Sequence, residues 1–298
     1  MTPIQPSRLR IAAIGFLNPA PLMWDFEHPP LDAPLALRYR IDRMSPAECA
    51  ARLASGAADI GLVPIAALAT IPGLRILPGC AIASKGRVRS LLLVRRASQP
   101  LAALRSVAAD TASLTTVAHA RILFRNWGNP DVPFLPAAAG LDAMLARADA
   151  AILIGDPALL ALEDRASRFE RTGEELVYHD MADEWHTLTG LPFVSAVWAA
   201  APMNLGAPGA SHLGTWDSTI AIDFIQSRIH GLQNIDALVA EWSHRIAIPG
   251  ETIRAYLTTN IHYILDEECI EGMKAFFRLA AEAEVLPEFS FSMSETAA

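Results

Sequence analysis

The stretch SVAADTASLTTVAHARILFRNW, residues 106–127, holds the reading that decides the fold. Ser106–Ala109 is a short apolar strand, a polar turn begins at Asp110, and Ser113–Trp127 repeats apolar residues at helical spacing. A strand feeding a helix is the unit from which α/β sheets are built. Upstream, Leu9–Phe16 reads as a buried strand that ends in Gly15 and the turn-forming Asn18-Pro19. Leu35–Asp42 alternates apolar and charged residues, as a strand with one wet face does. Ser45-Pro46-Ala47-Glu48 then supplies a cap, a first-turn proline and an acid for a helix running to about Ser55-Gly56. Asp59–Val63, Ile76–Ile82 and Val88–Val94 are further strands. Downstream, Val132–Leu135, Ala150–Ile154, Leu176–His179 and Phe193–Ala199 read as strands, with a helix over Leu141–Arg147. Beyond Thr215 the pattern is helical, over Thr215–Ile229, Ile235–Ile246, Glu251–Thr259 and Asp266–Val285, and the last thirteen residues look like a loose tail.

Strands alternating with helices predict an α/β fold with largely parallel sheets. Two βα series followed by helices predict two lobes with a ligand cleft between them. If the chain crosses twice, the first lobe is 1–95 plus 197–298 and the second is 96–196. The length of 298 residues suits two domains or one large one. With 52% apolar and 19% charged residues, general disorder is excluded. No apolar run approaches the ~18 residues of a membrane span.

A net charge of −8 argues against nucleic acid as a partner. Residues 1–105 nevertheless hold 13 Arg/Lys against 6 Asp/Glu, which suits a small anionic ligand or simply arginines scattered over a wet surface. Cys49, Cys80 and Cys269 are odd in number and form no CxxC pair, so they read as reduced thiols of a cytosolic protein. The apolar stretch near the N-terminus is broken by Asn18, Pro19 and Pro21, and no cleavage site follows, so a cytoplasmic location is expected.

The chain has no phosphate-binding loop, dinucleotide fingerprint, nucleophile elbow or HExxH motif, and its eight histidines lack metal-ligand spacing. His186, in Glu184-Trp185-His186, reads as a surface histidine in an acidic helix rather than a catalytic base. Asp266-Glu267-Glu268 reads as an acidic first helical turn. Four polar turns remain at strand ends, where open α/β sheets bind ligands. They are Gly15–Pro19, Ser84-Lys85-Gly86, Asp110–Thr116 and Ile154-Gly155-Asp156-Pro157. Hydroxyls and free N–H groups at a helix start suit a carboxylate or phosphate. Ser113, Thr115 and Thr116 fit that use, although an ordinary helix cap explains them as well. Asp156 serves equally as a cap, and Asn18 as a turn residue. From the residues alone, this is a two-lobed α/β protein that binds a small anion.

Six stretches, in order, carry a resemblance: IGFLNPAPL (14–22), ADIGLVPIAAL (58–68), IASKGRVRSLLL (82–93), ADTASLTTVAHARIL (109–123), AAILIGDPAL (150–159) and EWHTLTGLPFVSAVW (184–198). Together they resemble the chorismate dehydratases of the futalosine route to menaquinone, over roughly residues 8–280. The resemblance implies a two-lobed fold like that of periplasmic binding proteins of type II, with two chain crossovers and a helical C-terminal segment. It implies loss of water from chorismate to give 3-[(1-carboxyvinyl)oxy]benzoate, with no metal or organic cofactor. Asn18 then sits at the reacting centre. Ser113, Thr115 and Thr116 receive one carboxylate, Ser84 lies at the other polar end, and Gly155 and Asp156 complete the site. The family has Ser-Tyr where this chain has Gly15-Phe16, and often Arg where it has Leu114, so any contacts from those side chains are missing. Asp156 and the substrate's own enolpyruvyl carboxylate are the rival proton acceptors.

Two other readings stand beside this one. The related 1,4-dihydroxy-6-naphthoate synthases share the fold, but their first turn is a different one, rich in Ser, Cys, Pro, Asn and Asp, which GFLNPAP does not resemble. A non-catalytic solute-binding or sensing protein is the second. The sequence sets no oligomeric state.

Overall fold

Ten strands run in chain order through the computed structural model: β1 Leu9–Ile14, β2 Tyr39–Met44, β3 Ile60–Pro64, β4 Arg75–Ser84, β5 Leu91–Arg96, β6 Val107–Ala109, β7 Phe134–Pro136, β8 Ala150–Ile154, β9 Leu176–Asp180 and β10 Phe193–Ala200. The residues described are 8–29, 35–110, 113–137, 140–201 and 218–291. The strands form two five-stranded sheets, ordered β2-β1-β3-β10-β4 and β7-β6-β8-β5-β9. Within the first, β1 pairs in parallel with β2 and β3; within the second, β6 does so with β7 and β8.

The expectation of largely parallel sheets holds for four strands of each sheet, with one strand apiece running the other way. β10 is antiparallel to both β3 and β4, and β5 to both β8 and β9. Each of these strands has just crossed from the other sheet, so it enters its new sheet from the opposite end. Leu91–Arg96 therefore pairs in the second sheet and Phe193–Ala200 in the first. On strand pairing, the crossings lie in 84–91 and 180–193, earlier than the anticipated 95/96 and 196/197.

Alternation along β5 shows how the second sheet is covered. Leu91 and Leu93 face the large core that the lobes share, while Leu92 and Val94 pack with Met144, Leu145 and Leu153 on the outer face. The strand anticipated from Leu35 begins instead with a helical turn, Leu35–Arg38, which places buried Leu35 and Tyr39 on one side. The helix anticipated from Thr215 is described from Ser218, so its first residues lie outside the described part. The C-terminal end is also more ordered than expected. Leu286 is buried, and Phe289 and Phe291 pack their rings on Phe277 at 4.8 and 5.9 Å, so the chain is docked as far as 291. Among the described residues no helix is long and apolar enough to cross a membrane. All three cysteines are free and buried.

Candidate functional site between the two sheets

β1 delivers its polar turn to the gap between the sheets. Gly15 N–H donates to Met44 O at 2.9 Å, which holds the turn to the end of β2. Phe16 then lays its ring on Gly155 of the facing turn. Gly155 has φ +64°, and a Cβ there would come within 2.4 Å of that ring, so both backbone and space demand glycine. Leu17 N–H donates to Asp156 Oδ1 at 2.9 Å, a second bond from one sheet's turn to the other's. Burial pushes the Asp156 carboxyl up, against the opposing effects of the Leu17 N–H and the Arg43 guanidinium.

The facing helix, Leu114–Asn126, begins at Ser113, whose side chain makes no cap bond to its backbone N–H groups, and has no acid in its first turn. The Ser113 hydroxyl pairs instead with the Thr116 hydroxyl at 2.9 Å. Thr115 Oγ1 accepts Ala66 N–H at 2.9 Å from the turn after β3, which leaves the Thr115 proton free to donate elsewhere. An uncapped helix start carries partial positive charge and favours an anion over a cation. Thr111 and Ala112, in the same turn, lie outside the described residues.

These turns line a cavity of about 70 Å³ that opens partly to solvent. Phe16, Asn18, Phe193 and Ser195 line it from one side; Ser90, Ser113, Thr115, Thr116 and Gly155 line it from the other. Apolar Ile14, Pro64, Ile82, Leu91 and Ile154 form much of the remaining wall. Among the described residues, no lysine, arginine or carboxylate lines the cavity. An anion here meets hydroxyls, amides and a helix end rather than a counter-ion.

The cavity thus brings together Asn18, Ser113, Thr115, Thr116 and Gly155. It does not include two other anticipated residues. Ser84 is buried at the end of β4, with its hydroxyl unpartnered among the described residues, and Asp156 is spent on the Leu17 N–H. Leu114 is 47% exposed on the outside of the helix start. His186 points its ring at Leu191 O in an exposed position, and Asp266 caps the last helix through Cys269 N–H at 2.9 Å. His262, Asp266 and Cys269 cluster closely enough for a metal, but Asp266 Oδ2 already meets His262 and Lys85, and burial pushes the Cys269 thiol up to about 12. The cluster is a helix cap.

Sequence reasoning missed Ser90, Ser195 and Tyr256. Ser195 sits where the β10–β4 register shifts between Val194 and Ala196, a bulge that turns its side chain toward the cavity. No sequence signal marks that bulge. Ser90 follows Arg89, whose φ of +64° is rare for a side-chain-bearing residue. Tyr256 OH donates to Ser90 Oγ at 2.8 Å from beneath the cavity. Also below the wall, His119 stacks on Phe193 at 3.9 Å, and burial pulls its imidazole down to about 3, so it is neutral.

A family model described as menaquinone biosynthesis matches residues 9–282. The chain belongs to that menaquinone-biosynthesis family. Within reach of it lies the chorismate dehydratase of Thermus thermophilus, 29% identical over 259 residues, covering 84% of this chain and 88% of that protein. Solved structures agree on the fold. A crystal structure of an Archaeoglobus fulgidus protein superposes with TM-score 0.68 at 13% identity, over 94% of this chain and 98% of that one. The alkanesulfonate-binding protein of Xanthomonas axonopodis pv. citri, bound to MOPS, gives 0.65 at 17% identity over 95% and 96%. This chain thus has the architecture of periplasmic binding proteins.

Proposed function

We propose that this member of the family is a chorismate dehydratase, a carbon–oxygen lyase that forms 3-[(1-carboxyvinyl)oxy]benzoate and water on the futalosine route in the cytoplasm. The observation that carries the reading is the convergence of Asn18 with the uncapped Ser113 helix start on one uncharged cavity. The similarity to the Thermus thermophilus enzyme supplies the substrate.

Chorismate carries a ring carboxylate and an enolpyruvyl carboxylate. The reaction breaks the C3–H and C4–O bonds; the C–H electron pair becomes ring π-density, and the proton and departing hydroxide make water. Aromatisation supplies the driving force, so the protein must orient the ring and stabilise the leaving oxygen. The Ser113–Thr116 turn and its N–H groups receive one carboxylate. Asn18 Oδ1 is buried without a partner among the described residues, an acceptor ready for the substrate's C4 hydroxyl. Its amide nitrogen is the donor for the oxygen as it leaves. Asp156, held by Leu17 N–H away from the cavity, is the weaker proton acceptor, which favours the enolpyruvyl carboxylate.

The test is to incubate the purified protein with chorismate, without added metal or cofactor, and follow the mass of the product. Loss of one water from chorismate supports the dehydratase. Tight binding without turnover identifies a solute-binding or sensing protein instead.

A further inference from the structure

One carboxylate joins the two crossings between the sheets. Asp180 ends β9 and caps the helix Met181–Thr189, its Oδ1 accepting Ala182 and Asp183 N–H at 3.2 and 3.3 Å. The same side chain reaches the other crossing, where Oδ1 accepts Val88 N–H at 3.2 Å and Oδ2 accepts Arg89 N–H at 2.7 Å. Two amides from each crossing therefore meet on Asp180. Arg89 is the point of strain. Its φ of +64° lies in the left-handed region, which a residue with a long side chain seldom adopts. Such a conformation persists only where its surroundings enforce it, and it clusters at ligand sites. The enforcing bonds here are Arg89 N–H to Asp180 and Arg89 Nη2 to Glu163 Oε1 at 2.7 Å. The next residue is Ser90, which is buried and lines the cavity. Ser90 O accepts Gly155 N–H at 2.8 Å, and Ser90 Oγ accepts the Tyr256 hydroxyl at 2.8 Å. Tyr256 opens a π-turn, Tyr256–Asn260, and Asn260 Nδ2 donates to Arg87 O at 3.0 Å from its far end.

We propose that Asp180 is a positioning residue for the cavity: by accepting the Arg89 N–H from the other crossing, its carboxylate holds the left-handed bend that brings Ser90 to the cavity wall. Asp180 is not among the residues that line the cavity, so it acts through Ser90. The kinetic consequence rests on the proposed dehydration; the bend itself does not.

Asp180→Asn separates the two tasks of this side chain. Asparagine caps a helix as well as aspartate does, so Oδ1 can keep its bonds to Ala182 and Asp183. Its amide nitrogen takes the place of Oδ2 and meets the Arg89 N–H donor against donor. In 15N–1H hydrogen exchange, the Arg89 amide and the Gly155 amide bonded to Ser90 O should exchange at least about 10-fold faster, with Ala182 and Asp183 still protected. The kcat/KM for chorismate should fall about 10²-fold, the usual effect of a small misplacement at a site. In a Ser90→Ala background the same substitution should cost under about 2-fold, because the group it positions is gone. Glycine adopts a positive φ without help, so adding Arg89→Gly to Asp180→Asn should bring kcat/KM to within about 3-fold of Arg89→Gly alone. A merely structural loss would show neither the dependence on Ser90 nor the rescue. Unchanged exchange at Arg89 and Gly155 overturns the proposal, as do equal losses with and without Ser90 or no rescue by glycine. If wild type is inactive on chorismate, the proposed function alone is refuted, and the exchange of the Arg89 and Gly155 amides still decides the role of Asp180.

Discussion

Two helices in this molecule start with a serine after a β-strand or the turn that follows one, and they end up doing opposite things. At Ser45, the hydroxyl accepts Glu48 N–H at 3.3 Å and Glu48 Oε2 accepts Ser45 N–H at 2.9 Å, a closed capping box. The Glu48 carboxyl is held below its usual range chiefly by that backbone bond. At Ser113 the residue three positions on is Thr116 rather than glutamate, the two hydroxyls pair with each other, and the N–H groups stay uncapped. One helix end is satisfied from within, and the other lacks a cap from its own serine. The difference is Ser-x-x-Glu against Ser-x-x-Thr.

The largest effect should come from making the second end resemble the first. Thr116→Glu places a carboxylate on the open helix start, and like charges brought together cost several kcal/mol, or about 10²–10³-fold in kcat/KM. Steady-state kinetics check this, and near-normal kcat/KM would deny the helix end its role. Next comes Gly155→Ala, which forces a Cβ into the Phe16 ring at a left-handed φ. It should lower stability by about 1–3 kcal/mol in denaturant titration, with turnover reduced as Phe16 is displaced. Ser45→Ala opens the capping box, costs about 1 kcal/mol of stability and leaves turnover unchanged.

The smallest expected effect concerns pH. The Asp156 carboxyl is raised by burial, so the folded state holds that proton at pH values where the unfolded chain has released it. Stability from this group is therefore lost as pH rises through the folded pKa. Asp156→Asn keeps an acceptor for Leu17 N–H but no longer titrates. It should raise the melting temperature at pH 7 and by less below pH 4, as scanning calorimetry would show.

The same contrast explains what was legible in the sequence. Ser45-Pro46-Ala47-Glu48 and the βα unit at 106–127 are local patterns, so their helices could be read directly, and Asn18, Ser113, Thr115, Thr116 and Gly155 were found as polar turns at strand ends. The antiparallel placement of β5 and β10 is set by the two crossings, which no local pattern encodes. Ser195 owes its position to a bulge against β4, Ser90 to the strained residue before it, and Tyr256 to a π-turn more than 160 residues away from its partner. Each of these depends on long-range pairing. Asp156 was visible as a polar residue, but its commitment to the Leu17 N–H of the other sheet was not.

In the proposed reaction Asn18 acts on the reacting atoms while the Ser113 helix end holds the substrate. Chorismate binding by calorimetry and its dehydration, measured side by side for wild type and Asn18→Ala, test it most directly. Wild type is expected to convert chorismate, and Asn18→Ala to bind within about 3-fold of it while turning over about 10²–10³-fold more slowly. Wild-type turnover by Asn18→Ala, or failure of both proteins to bind chorismate, would contradict it.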